Sequence, residues 1–248
     1  MKYHIFSIND DRYNMRQTIV DRVDLERARI RCFNAYEQNI AGFLKSRGMH
    51  FDRWTPKIGE AGIWISNILA WEWCVENDES LICFEDDAIP LWDFSLRLGV
   101  LTEELKDTNW DICSLWVPNN QLQDYWYYVT FNEIGDPVHS SPPAGWKGRE
   151  DSIYNLTGKS AAARIYQGYG GVAFMYTPAG AYKLLNYLRV RGIFTPVDCG
   201  LCQLSHLDIL SGYAPRPEFR LVDYDWLVPT TIHKSSLIDH KDRIMEKL

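Results

Sequence analysis

Between Gly59 and Pro90 the chain runs through a helical apolar pattern, a turn, a short apolar run and three consecutive acids. Ala61, Trp64, Ile65, Ile68 and Leu69 recur at helical spacing, which predicts an amphipathic helix with a broad apolar face. Asn77-Asp78 ends it. Leu81-Ile82-Cys83-Phe84 follows, too brief for a buried helix and apolar on successive residues, as a strand inside a parallel sheet is. A helix feeding directly into such a strand makes one αβ unit, so the chain is constrained to the α/β class with Glu85-Asp86-Asp87 at a strand exit. Adjacent carboxylates there repel one another and resist desolvation, so they need a cation, an ionic partner or open water. Strand alternation predicts Glu85 and Asp87 on one side, able to share a hard divalent cation, and Asp86 on the other. The same residues could equally form an acidic turn that caps the next element.

The rest of the chain supplies more units of this kind. Tyr3 to Ile8 reads as a first strand that stops at Asn9-Asp10-Asp11. Arg12 and Arg16 follow within a first helical turn, in reach of a diphosphate, although the helix expected from about Met15 to Gly48 is charged enough that most of it is solvated face. A helix carrying Leu96, Leu98, Leu101 and Leu105 precedes a strand over Trp110 to Leu115. Gly170-Gly171 opens another strand, to Tyr176, where glycines admit close approach of a backbone or ligand. Thr177 caps a helix with Pro178 in its first turn and an apolar stripe of Ala181, Leu184, Leu185 and Leu188, ended by Gly192. Pro196-Val197-Asp198 leads to a last helix from about Gly200. Residues 116–169 break the pattern with many Trp and Tyr among Gly, Pro and Ser, the mark of a functional loop or a disordered segment, and the rings suit sugar faces, a satellite core or a subunit contact.

A chain of 248 residues, 46% hydrophobic, can bury its core as one domain over residues 1–248 with the aromatic insert at about 116–169. A net charge of -7 counts against phosphate-backbone binding and so against nucleic acid as the main partner. No apolar run reaches the length of a membrane span, and the run before Asn9 is too short for a signal peptide, so the expected compartment is the cytoplasm. Six scattered cysteines read as reduced, packed thiols, and the lone Cys199-Gly-Leu-Cys202 carries no zinc-site spacing.

Several of these blocks together resemble a known family. Gly59-Glu60-Ala61-Gly62 with Ser66 and Trp71, Phe84-Glu85-Asp86-Asp87-Ala88, Trp110-Asp111-Ile112, Gly180-Ala181 with Leu184-Leu185, and Pro196-Val197-Asp198 resemble, in order and spacing, the family 25 glycosyltransferases, the lipooligosaccharide and procollagen sugar transferases. The likeness spans about Ile58 to Asp223, with only Ile8-Asn9-Asp10 matching before it. It implies a GT-A type fold, that is, a Rossmann-like, mainly parallel sheet flanked by helices. It also implies a UDP-hexose donor, Mn2+ (or Mg2+) held by the acidic motif, and inversion at the anomeric carbon. One departure is Ser66-Asn67, where the family usually has Ser-His; any role of that His would be absent or filled by the Asn67 amide.

Under this resemblance Asp87 binds the metal with Glu85 in support, and His233 is a further ligand by analogy, its imidazole favouring manganese. Asn9, Arg12, Glu60, Ser66 and Asp86 fall on the donor side. Asp198 is the expected general base, with Asp208 its rival; capping of the following helix is the plain structural alternative for Asp198. The expected activity is transfer of a hexose to a hydroxyl acceptor, as in lipopolysaccharide biosynthesis. Two readings compete: transfer onto modified bases of viral DNA, and a carbohydrate-binding relative that kept the fold without turnover. A phosphotransferase or nuclease would fit the acids, but there is no G-x-x-x-x-G-K-S/T loop.

Overall fold

The computed structural model describes residues 1–8, 13–116, 129–131, 137–139, 154–156, 162–165, 171–215 and 219–224. In chain order the elements begin β1 (Lys2–Phe6), α1 (Tyr13–Arg22), α2 (Ile40–Ser46), α3 (Ile58–Asn77), β2 (Leu81–Glu85), β3 (Ala88–Pro90), α4 (Phe94–Leu105) and β4 (Ile112–Ser114). Within the insert lie β5 (Val129–Phe131), β6 (Pro137–His139), β7 (Tyr154–Leu156) and β8 (Ala162–Ile165). The chain then continues through β9 (Ala173–Tyr176), α5 (Pro178–Arg191), α6 (Val197–His206), β10 (Gly212–Pro215) and β11 (Val222–Tyr224).

Seven strands form one sheet in the order β1-β2-β9-β4-β10-β8-β7. β1 pairs with β2 in parallel, Phe6 opposite Glu85, and β10 pairs with β4 in parallel. β9 runs antiparallel to both β2 and β4. The sheet is therefore mainly parallel in strand direction, since β1, β2, β4 and β10 share one heading, but a reversed strand divides the parallel pairs. That reversal has a consequence for the site: β9 begins where β2 ends, with Ala173 opposite Phe84.

β2 is apolar on four successive residues because both faces of the sheet are covered. Leu81 and Cys83 pack into one core with Trp64, Ile68 and Trp71 of α3, Leu184 and Leu188 of α5, and Leu201 and Leu204 of α6. Ile82 and Phe84 pack into the other, with Ile19 of α1 and Phe94, Leu98 and Leu101 of α4. By strand alternation Glu85 continues on the face of Leu81 and Cys83, the side on which α3 and α6 lie. The α4 stripe is narrower than its leucines suggest, for Leu96 is exposed.

The helix expected from Met15 to Gly48 is two helices separated by extended and turn backbone. α1 stops at Arg22, and residues 26–28 lie along the outer edge of β1, Tyr3 N–H donating to Glu26 O and Ala28 N–H to Tyr3 O. An edge strand presents unpaired backbone groups, and satisfying them outweighs the modest helix propensity of this stretch. The insert is partly sheet: β7 and β8 pair with each other, and β8 joins β10 antiparallel.

The last two helices start and stop as their sequence signals direct. Thr177 Oγ1 accepts from Gly180 N at the start of α5, and Gly192 at φ 77° closes it. α5 also comes unusually close to β4. A Cβ at Gly180 would stand 2.7 Å from the carbonyl carbon of Asp111, and the buried Asp111 carboxylate accepts from Lys183 Nζ at 2.7 Å and Ser211 N at 2.8 Å. Two of the resembling sequence blocks are thus a packing joint between strand and helix.

Candidate functional site

β2 ends at Glu85, and Asp86-Asp87 form a two-residue turn into β3, which pairs antiparallel with β11. The alternation expected to put Glu85 and Asp87 on one side holds only along extended backbone, so it does not carry across this turn. Asp87 is 2% exposed, whereas Glu85 and Asp86 are half-buried.

Two acidic residues from separate elements, Glu85 and Asp198, stand beside Gly171. Glu85 N–H donates to Val172 O at 2.9 Å, fixing the strand end against the start of β9. A Cβ at Gly171 would lie 2.8 Å from Glu85 Oε1 and 3.8 Å from Asp198 Cβ. The absence of a side chain at Gly171 is what admits the Glu85 carboxylate here, next to the first turn of α6.

Asp198 lies inside that first turn, because α6 begins at Val197 rather than near Gly200. Its Oδ1 accepts from the Cys199 backbone N–H at 2.8 Å. A negative side chain is favoured at a helix N-terminus, where unpaired N–H groups and the helix dipole meet it. Burial first, and the Asp198 charge second, push the Cys199 thiol well above its ordinary range. The approach to Asp198 is braced from α3: Trp64 Nε1 donates to Thr195 O at 2.7 Å, and Gly200 packs against the Trp64 ring.

Asp208 is not part of this arrangement. It sits beyond the other end of α6, exposed and at φ 55°, roughly 15 Å from Asp198 at the α-helical rise. The chain there leads to Ser211, whose N–H meets Asp111 at the start of β4, the opposite edge of the sheet.

On the expected donor side, Glu60 Oε2 accepts from Lys57 N at 2.7 Å and so satisfies a backbone N–H at the start of α3. Ser66 is buried, and its Oγ accepts from Phe33 N at 3.1 Å, tying the extended segment to α3. Asn67, at the family's His position, is also buried; its amide donates to Ile63 O and accepts from Tyr176 O–H at 3.1 Å. These side chains hold α3 to its neighbours. Asp86 lies nearer the strand exit, close enough for its charge, with those of Arg27 and Arg16, to bear on the Cys32 thiol, which burial pushes up. Cys32 Sγ in turn meets His4 Nε2 at 3.5 Å and accepts from Ser7 N at 3.4 Å. Asn9, Arg12 and His233 lie outside the described residues.

Among the described residues no three His, Cys, Asp or Glu side chains are grouped to hold a metal ion. The donor beside Gly171 is a Glu85 carboxylate oxygen, which suits a hard cation bound through one or two carboxylates and completed by water and substrate phosphates. All six cysteines are thiols, five of them buried. Among the described residues no helix is long and apolar enough to cross a membrane.

The sequence reading missed the parts that bring this corner together. Trp64 reads as one more apolar residue of a helical stripe and Thr195 as a loop residue, and only the fold joins them. Gly171 did carry a signal, a glycine at the mouth of a strand, though what approaches it is a side chain of the same chain. Compared with models of known protein families and with curated protein sequences, the chain matches none.

Proposed function

We propose that the protein is a metal-dependent inverting glycosyltransferase that moves a hexose from a UDP-sugar to a hydroxyl acceptor. The observation that carries the reading is the meeting of Glu85 and Asp198 beside Gly171, at the C-terminal edge of the parallel strands β1 and β2. Ligands of open α/β sheets bind outside the carboxyl ends of the strands, and at that end two acidic residues from different elements stand side by side. The resemblance of the surrounding blocks to family 25 glycosyltransferases supplies the reaction class.

In this reading Asp87, with Glu85 in support and His233 as a further ligand, would hold a manganese or magnesium ion, which would supply positive charge against the leaving diphosphate. Asp198 accepts the proton of the acceptor hydroxyl as that oxygen attacks the anomeric carbon from the face opposite the diphosphate. The Cys199 N–H fixes the orientation of its carboxylate, and the Trp64 bond to Thr195 O fixes the turn that carries it. A correctly held general base of this kind contributes about 10² to 10⁴ in rate. Asp198 is preferred to Asp208 because only Asp198 shares an edge of the sheet with Glu85.

Thermal melts with UDP, with Mn2+ and with both test the reading. If metal and diphosphate bind one site, each strengthens the other, and the joint rise in Tm exceeds the sum of the separate rises. Additive shifts would remove the support for a shared site.

A further inference from the structure

A groove of about 430 Å³ lies between the extended segment Arg29–Phe33, helix α2 and the outer face of α3. That volume falls within the ordinary range for small-molecule pockets. Its floor includes the half-buried rings of Phe43 and Trp73. One wall comes from the segment, where Arg29 and Arg31 are exposed while Ile30 and Cys32 between and after them are half-buried. Arg29 and Arg31 both line the groove on this side. The other wall comes from α3, where Glu72, Trp73 and Glu76 fall at the i, i+1 and i+4 positions of one helical turn and all line the groove.

The charges of the two walls are not spent on each other. Glu72 is held by Arg47 through two hydrogen bonds of 2.7 and 3.0 Å, and the Arg47 guanidinium lies 3.7 Å over the Phe43 ring. Among the described residues Arg29, Arg31 and Glu76 form no ion pair. The groove therefore offers two guanidinium groups on one side, a carboxylate on the other, and aromatic surface between. A purely anionic ligand would meet Glu76 unfavourably, and a purely cationic one would meet Arg29 and Arg31.

We propose that this groove is a binding site for a small zwitterion with an aromatic or apolar body, its carboxylate on Arg29 and Arg31 and its ammonium on Glu76. A guanidinium suits a carboxylate because its N–H donors match both oxygens, and an aromatic body covers Trp73. Cys32 lines the groove and also feels the charge of Asp86, so one end of the site lies near the acidic strand exit. The proposal stands whether or not that exit transfers a sugar.

Calorimetric titration with three probes that share one phenylethyl body tests it: phenylalanine, carrying both charges, 3-phenylpropionate, carrying only the anion, and phenethylamine, carrying only the cation. The parent protein binds phenylalanine at least about tenfold more tightly than either other probe, the worth of one charge-assisted hydrogen bond. Glu76→Gln removes the advantage of phenylalanine over 3-phenylpropionate while leaving 3-phenylpropionate binding as it was or stronger. Arg29→Gln with Arg31→Gln weakens both phenylalanine and 3-phenylpropionate and spares phenethylamine. All three positions are exposed, and melting curves at the parent Tm establish that the variants fold. Equal binding of phenylalanine and 3-phenylpropionate by the parent overturns the proposal, as does the absence of phenylalanine binding.

Discussion

Glu85 Oε1 lies 2.8 Å from the point at which Gly171 would carry a Cβ. A methyl group there would displace a carboxylate at the end of a flexible side chain rather than any backbone, so the cost to folding is small. Gly171→Ala is expected to lower stability by about 1 kcal/mol, the low end for added bulk. It is expected to weaken UDP binding in the presence of Mn2+ about as much as Glu85→Ala does, and to add nothing further in the double variant, because both act through one group. Urea melts and calorimetry read the two effects separately. Undiminished UDP binding by Gly171→Ala would mean that the Glu85 carboxylate is not needed where it stands.

Gly180 shows the opposite behaviour, because its neighbour is backbone. A Cβ there would be 2.8 Å from Asp111 Cα and closer still to the Asp111 carbonyl. Strand β4 cannot retreat without disturbing its pairing with β9. Gly180→Ala is expected to cost about 3 kcal/mol, the upper end for overpacking, despite alanine's better helix propensity. A variant with parent stability in urea would show that α5 and β4 are not in this contact.

His4 makes stability depend on pH. It is 1% exposed, and burial first and the Arg27 charge second lower its pKa from 6.5 to about 4. The unfolded chain then binds a proton that the folded chain refuses, so stability present above about pH 6.5 is lost as pH falls toward 4. The loss from this group is about 3 kcal/mol in full. Urea midpoints at pH 7.5 and 5 should differ in this direction, and the difference should shrink in His4→Asn. An unchanged difference would place the sensitivity elsewhere.

Much of this fold was legible because the local signals agree with one another. Thr177, Pro178 and Gly192 mark the two ends of α5, and the apolar run Leu81 to Phe84 marks a strand covered on both faces. The long N-terminal helix was misread because a charged stretch has no apolar period to contradict a helix; what decides its path is the open edge of β1, which no local window contains. The same limit applies to the site. Glu85-Asp86-Asp87 stands out in the sequence, but the turn that ends its alternation does not, and neither does the reversal of β9 that brings Gly171 to Glu85. Ser66 and Glu60 are prominent in the resembling blocks, yet their hydrogen bonds to Phe33 N and Lys57 N are those of structural joints.

The central claim is that Asp198 moves a proton while the acidic strand end holds the leaving group. Asp198→Asn keeps the size of the side chain and its ability to accept from the Cys199 N–H, but removes its use as a base. With a hexose donor chosen by thermal shift and present at saturation, the initial rate of sugar transfer by Asp198→Asn, taken together with its UDP affinity in Mn2+, tests the claim most directly. The account predicts parent-like UDP affinity and a rate lower by about 10² to 10⁴. Transfer at the parent rate would contradict it.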